Sequence, residues 1–110
     1  MRARKVIRQY ENGKRNFSRV RLRKAKFSGA NLERIDLSWA YMRGSDLTEA
    51  NLNGADLTGT DLTGADLSEA SLDEANLRGA NLYKASITED QLAEAEVLEG
   101  TIMPDGTKHH

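Results

Sequence analysis

A large apolar side chain stands at every fifth residue of this chain for most of its length. The series runs Phe17, Leu22, Phe27, Leu32, Leu37, Met42, Leu47, Leu52, Leu57, Leu62, Leu67, Leu72, Leu77, Leu82 and Ile87, fifteen positions without a break. Two residues before most of them is a small side chain, as at Ala25, Ala30, Ala40, Ser45, Ala50, Thr60 and Ala85. Neither ordinary period accommodates this. A helix advances about 100° per residue, so five steps overshoot a turn by about 140° and scatter the leucines around its surface. A flat strand sends successive ones to opposite faces. The backbone must instead bend every five residues and return the same position inward. One such unit cannot bury its apolar residue alone and must stack on neighbours, so the chain is a solenoid.

Segments such as Ala50-Asn51-Leu52-Asn53-Gly54, Ala55-Asp56-Leu57-Thr58-Gly59, Ala65-Asp66-Leu67-Ser68-Glu69 and Ala80-Asn81-Leu82-Tyr83-Lys84 resemble the A(D/N)LXX unit of the pentapeptide-repeat proteins. The resemblance covers Arg15 to Glu89. It implies an all-β solenoid, a right-handed quadrilateral β-helix with four units per coil and about four coils, closed by short α-helical caps at both ends. At the usual interstrand spacing the solenoid part is expected to be about 15–20 Å long.

The residues support that picture on their own terms. The central Leu or Phe fills the axis, and the small residue points inward near a corner. Asp, Asn or Ser between them is suited to accept from local backbone amides. Gly29, Gly44, Gly54, Gly59, Gly64 and Gly79 stand two residues past the centre. There a type II turn needs positive φ, and such corners are expected. A different turn is expected where Glu49, Glu69 or Glu89 takes that place. Arg15, Val20 and Ile35 occupy small-residue positions, and a local bulge or widened corner is expected around Ile35-Asp36.

Both solenoid ends expose core and unpaired strand edges, so both need covers. Arg2 to Asn12 reads as a helix with Val6, Ile7 and Tyr10 on one face and Gly13 as its stop. Thr88 and Gln91 form a capping-box pattern, followed by an apolar stripe of Leu92, Ala95 and Leu98. Val97 and Ile102 keep the five-residue phase, but the intervening Ala93-Glu94-Ala95-Glu96 reads as helix and the repeats are ended at Glu89. The expected division is a capping helix over 1–14, repeats over 15–89, and a capping helix and tail over 90–110. Lys108-His109-His110 resembles the stub of a purification tag and carries no weight in the functional reading. Cysteine is absent and no apolar run is long enough for a membrane span, so a cytoplasmic location is the expectation.

A formal net charge of −1 conceals an asymmetry. Residues 1–26 hold eleven Lys and Arg against one acid, Glu11, whereas residues 27–110 hold five against sixteen acids. Sequence order is axial order in a solenoid, so one end is basic and the remainder acidic. Residues twenty apart stack on one face. That rule gathers Arg19, Arg21, Arg23, Trp39, Tyr41 and Arg43 into one surface patch. Trp39 is the only tryptophan, and an outward Trp among arginines has the composition of a binding hot spot. The alternative is that Trp39 merely covers the backbone of the glycine column above it. Glu49, Glu69 and Glu89 should form an acidic column, with Asp73, Glu74 and Glu94 nearby. No ligand pattern there calls for a metal.

A filled core offers no recess for catalysis and the two histidines are the last two residues, so an enzyme is not expected, nor any cofactor. The favoured reading is a small binding or scaffold module that engages a protein partner through a rigid face. The family suggests an alternative by analogy, a DNA mimic that modulates a type II topoisomerase; the short, partly basic rod fits it poorly. A third reading is salt-sensitive contact of the basic end with nucleic acid or another anionic polymer. A monomer is expected, and the charge gradient permits head-to-tail association. The style of both ends resembles short cyanobacterial members of the family.

Overall fold

The apolar positions do turn inward, once per face of a four-sided coil. In the computed structural model, which describes residues 1–110, single parallel bridges join each rung to the residue twenty further on, from Asn16 with Asp36 to Asp66 with Ser86. Twenty residues therefore make one coil. Each face is extended for only a residue or two between corners, so the ladder is a stack of bridges and contains no long strands. Phe17, Leu37, Leu57 and Leu77 stack behind one face, and Leu22, Met42, Leu62 and Leu82 behind the next. All the central residues from Phe17 to Leu82 are at most 1 % exposed. Burial of each contributes about 1.5–3 kcal/mol. The molecule measures 36 × 23 × 23 Å, caps included.

Every corner has the same construction. The carbonyl of the central residue accepts from the N–H three residues on, as Phe27 does from Ala30 and Leu47 from Ala50, each at 3.0 Å. The residue before that donor has φ between 55° and 70° all along 19–84. Glu49 and Glu69, at 60° and 62°, adopt the same turn as their column mate Gly29 at 70°, against the expectation of a different one. The ladder imposes this. The N–H of Glu49 is tied to Ser68 O at 2.9 Å just as that of Gly29 is tied to Thr48 O at 2.8 Å. Register fixes the backbone, and a side chain that dislikes left-handed φ must accept a cost of about 1–2 kcal/mol. Glu89 differs, because it begins a helix. The Asp or Asn before each centre accepts from the N–H two residues on, as Asp56 does from Thr58 at 3.0 Å.

Neither a bulge nor a widened corner forms at Ile35-Asp36, where Arg34 has the ordinary corner φ of 61°. Ile35 donates to Leu32 O at 3.1 Å, Asp56 donates to Ile35 O at 2.9 Å, and Asp36 bridges Asp56 in regular register. Ile35 is fully buried. Its neighbour in the coil below, Arg15, leaves the interior and lays its guanidinium 3.8 Å from the centre of the Tyr10 ring. The larger side chain of Ile35 thus meets no competitor for the space.

Helix α1, Ala3–Glu11, covers the first coil with Ala3, Val6 and Tyr10 buried. It stops at Gly13, whose φ is 100°, with Gly13 donating to Tyr10 O at 2.9 Å and Lys14 to Gln9 O at 3.0 Å. These two bonds are the Schellman pattern. Helix α2, Glu89–Glu94, begins with the full Thr88/Gln91 capping box. The Gln91 amide also donates to Leu67 O at 2.6 Å and Ala70 O at 2.9 Å, which pins α2 to the coil beneath. The helix is shorter than the sequence pattern suggests. Ladder pairing resumes past it, Asn76 bridging Val97 and Asn81 bridging Ile102. The offset is now twenty-one, so Leu98 and Met103 pack on the core and Val97 and Ile102 hold the rung positions.

Candidate functional site

The second face of the coil and its preceding corner carry the residues the stacking rule selects. The corner column runs Arg19, Trp39, Gly59, Gly79. The three corner residues Arg19, Trp39 and Gly59 have φ of 64°, 60° and 64°. Positive φ turns the Trp39 side chain along the outside of the rod, over the next coil. A Cβ built on Gly59 would come within 2.4–2.6 Å of three atoms of the Trp39 benzo ring. The indole therefore lies flat on the Gly59 backbone, a position only glycine permits. The residue is still 52 % exposed. One face of the indole covers backbone, as the alternative reading expects, and the other meets solvent.

On the face itself, Arg21, Tyr41 and Asp61 occupy successive rungs. The Arg21 guanidinium stands 5.6 Å from the centre of the Tyr41 ring, a cation–π pair on a residue that is 53 % exposed. Arg43 Nε donates to Asp61 Oδ2 at 2.7 Å. Burial pushes the Asp61 carboxyl up, but the hydrogen bonds from Arg43 and Thr63 outweigh it and hold the group below the usual carboxylate range. The same bond and charge raise the Arg43 guanidinium. Arg21, Arg23, Tyr41, Arg43 and Asp61 line an open recess of about 400 Å³. Four of the six residues selected from the sequence thus share one recess. Trp39 and Arg19 stand at the adjoining corner outside its lining, and Arg19 lies over no aromatic ring. Asp61 was missed, although the twenty-residue rule applied to Tyr41 points straight to it.

The opposite end is crowded with carboxylates. Glu94 titrates above its ordinary value, first because of the charge of Asp73, then through desolvation, a hydrogen bond with Asp73 and the charge of Asp90. His, Asp and Glu side chains nowhere gather in a group of three able to hold a metal ion. No helix is long and apolar enough to cross a membrane.

Comparison with known proteins agrees with this geometry. The family profile described as Pentapeptide repeats matches in eight copies over residues 16–54 and 60–89. No curated protein matches the chain. Among solved structures, HetL of the cyanobacterium Nostoc sp. strain PCC 7120, a pentapeptide repeat protein involved in heterocyst differentiation regulation, superposes with a TM-score of 0.80 at 42 % identity. The match covers 86 % of this chain and 43 % of HetL, so the chain spans less than half the length of that relative. The pentapeptide repeat protein alr5209 of the same cyanobacterium matches with a TM-score of 0.63 at 37 % identity, over 93 % of this chain and 75 % of its own. A pentapeptide repeat protein of the Arabidopsis thaliana thylakoid lumen matches with a TM-score of 0.51 at 27 % identity, over 84 % and 69 %.

Proposed function

The chain belongs to the pentapeptide-repeat family, and on that premise we propose that it is a non-enzymatic binding module that engages a protein partner through the face of Arg21, Arg23, Tyr41 and Arg43, with Trp39 and Arg19 at its border. In this reading the coil winds right-handed, as the family resemblance implies. One observation carries the reading: Arg21 stacks over an exposed Tyr41 on a rung of a rigid ladder, beside a half-exposed indole. Aromatic and arginine side chains held this way lose little entropy on association, and they dominate interface energetics. Similarity to HetL, which is involved in regulating heterocyst differentiation, supports a regulatory setting over a metabolic one.

The test is capture of partners from cyanobacterial lysate at moderate salt, comparing the wild type with Trp39→Ala/Tyr41→Ala. Both residues are surface residues, and circular dichroism checks that the double variant keeps its coil. The proposal expects a discrete protein retained by the wild type and lost in the variant. Equal retention by both, or elution of everything with salt, sinks it.

A further inference from the structure

The two ends of the ladder are finished differently. At the C-terminal end the last rungs are closed. Lys84 donates to Pro104 O at 3.0 Å, and the chain then folds back on itself, Met103 donating to Thr107 O at 2.7 Å and Gly106 to Met103 O at 2.8 Å. At the N-terminal end α1 covers the core but leaves the strand edge of the first coil open. In the second coil the rung residues donate downward, Tyr41 to Val20 O and Asp46 to Ala25 O, both at 2.9 Å. The corresponding N–H groups of Arg21, Lys26 and Asn31 have no acceptor, and the carbonyls of Arg23, Lys26 and Ser28 have no donor. These residues are exposed, whereas Asp46, Asn51 and Asp61 one or two coils on are half-buried.

Beside this edge an open groove of about 580 Å³ runs between the start of α1 and the corner at Lys24. Arg2, Arg4, Arg23, Lys24 and Lys26 line it, Ala3, Ile7 and Ala25 give it an apolar floor, and it contains no acid. The ion pairs of the molecule, Arg43 with Asp61 and Arg78 with Glu99, use none of these cations.

We propose that this open edge accepts an extended, acidic segment of a partner protein, added as one more rung beneath the first coil. An extended backbone supplies the acceptor that Lys26 N–H lacks and donors for the Lys26 and Ser28 carbonyls. Alternate side chains of such a segment point toward the groove, and carboxylates there meet five unpaired cations. The same cations keep neutral and basic strands off the edge, so they act as the selective element as well as the attractive one. A nucleic acid would meet the cations but leave the backbone groups unpaired, which is why an acidic peptide is favoured. The groove shares only Arg23 with the Tyr41 recess, and the edge adds the backbone of Arg21; the site does not depend on the role given to that face.

The probe is a short fluorescent peptide of alternating glutamate and valine, followed by anisotropy with the full chain at low salt. Its backbone N-methylated counterpart and a single-stranded oligonucleotide form the other arms. The wild type is expected to bind the peptide, and the Lys26 amide to gain protection from hydrogen exchange. Lys26→Gln removes only the charge, whereas Lys26→Pro also removes the edge N–H. The proline variant should bind roughly tenfold more weakly than the glutamine variant. Should Lys26→Pro fail to fold by circular dichroism, the N-methylated peptide against the wild type decides, with a comparable loss expected. Equal binding of the N-methylated peptide overturns the proposal, as does binding of the oligonucleotide without binding of the peptide, or no binding at all.

Discussion

Gly59→Ala and Gly64→Ala form a matched pair that isolates the contact of Trp39 with the coil above it. Both glycines sit at corners, with φ of 64° and 68°, and differ in what surrounds them. A Cβ at Gly64 meets nothing within 4 Å, whereas one at Gly59 strikes the Trp39 ring at 2.4 Å. The shared backbone cost is about 1–2 kcal/mol, reduced by roughly 0.4–1 kcal/mol because alanine restricts the unfolded chain. Gly64→Ala should therefore lose about 1 kcal/mol. Gly59→Ala must also lift the indole off the backbone. Trp39 is 52 % exposed, so roughly 100 Å² of ring is covered. At about 25 cal/mol per Å² its release costs up to about 2.5 kcal/mol. Gly59→Ala should then lose about 2–3.5 kcal/mol. In a Trp39→Ala background its cost should fall back to that of Gly64→Ala, a coupling of about 2 kcal/mol. Urea unfolding followed by circular dichroism gives the energies, and the emission of the single tryptophan reports its displacement. Equal costs for the two glycine substitutions in the wild type, with Trp39 emission unchanged, would refute the stacking.

Glu69→Gly should stabilise the protein by about 0.5–1 kcal/mol in thermal melts, since relief of left-handed φ exceeds the added unfolded-state freedom. Gln91→Ala removes the capping box and two buried bonds to Leu67 and Ala70, and should cost about 2–3 kcal/mol by denaturant titration. Hydroxyl bonds from Thr48 and Thr107 hold Asp46 and Asp105 below the usual carboxylate range, and Asp61 is lowered despite its burial. Depressed values mean that the unfolded chain binds more protons. The associated stability is present above the ordinary Asp pKa of about 3.9 and is lost as pH falls through the folded values, so melting temperature should drop in acid. Glu94, raised first by the charge of Asp73, has the opposite sign: its contribution is present in acid and lost as pH rises through its folded pKa. Asp73→Asn should move the Glu94 titration downward in an NMR pH series, and an unmoved midpoint would contradict the assigned cause.

The five-residue period made the coil legible because one side chain per unit must reach the axis, and no other backbone delivers Phe17 through Leu82 there. The same periodicity failed at Leu98. Helical residues advance about 1.5 Å each against about 3.3 Å for extended ones. The stretch through α2 uses one extra residue before the ladder resumes, and the inward set shifts from Val97 and Ile102 to Leu98 and Met103. Corner conformation at Glu49 and Glu69 was misjudged for a related reason. Residue preference suggested another turn, but bonds to the coil above dictate φ. The surface was half legible. Column stacking found Arg21, Tyr41 and Arg43, yet Asp61 emerged only once that column was followed one rung further. The open edge at Lys26 was invisible in the sequence, because it depends on where α1 stops short of covering the first coil.

The role of the basic and aromatic face is tested most directly by photo-crosslinking in the native host from Tyr41, with Tyr83 as the internal control. Both are exposed tyrosines on the same side of the coil, at 53 % and 42 %, but only Tyr41 has the Arg21 guanidinium over its ring, Tyr83 pairing with Lys84 instead. A photoreactive phenylalanine analogue at Tyr41 is expected to yield one discrete protein adduct, absent from the Tyr83 position and lost with Arg21→Gln. The same adducts from both positions, or none from Tyr41, would contradict the assignment of this face as the interface.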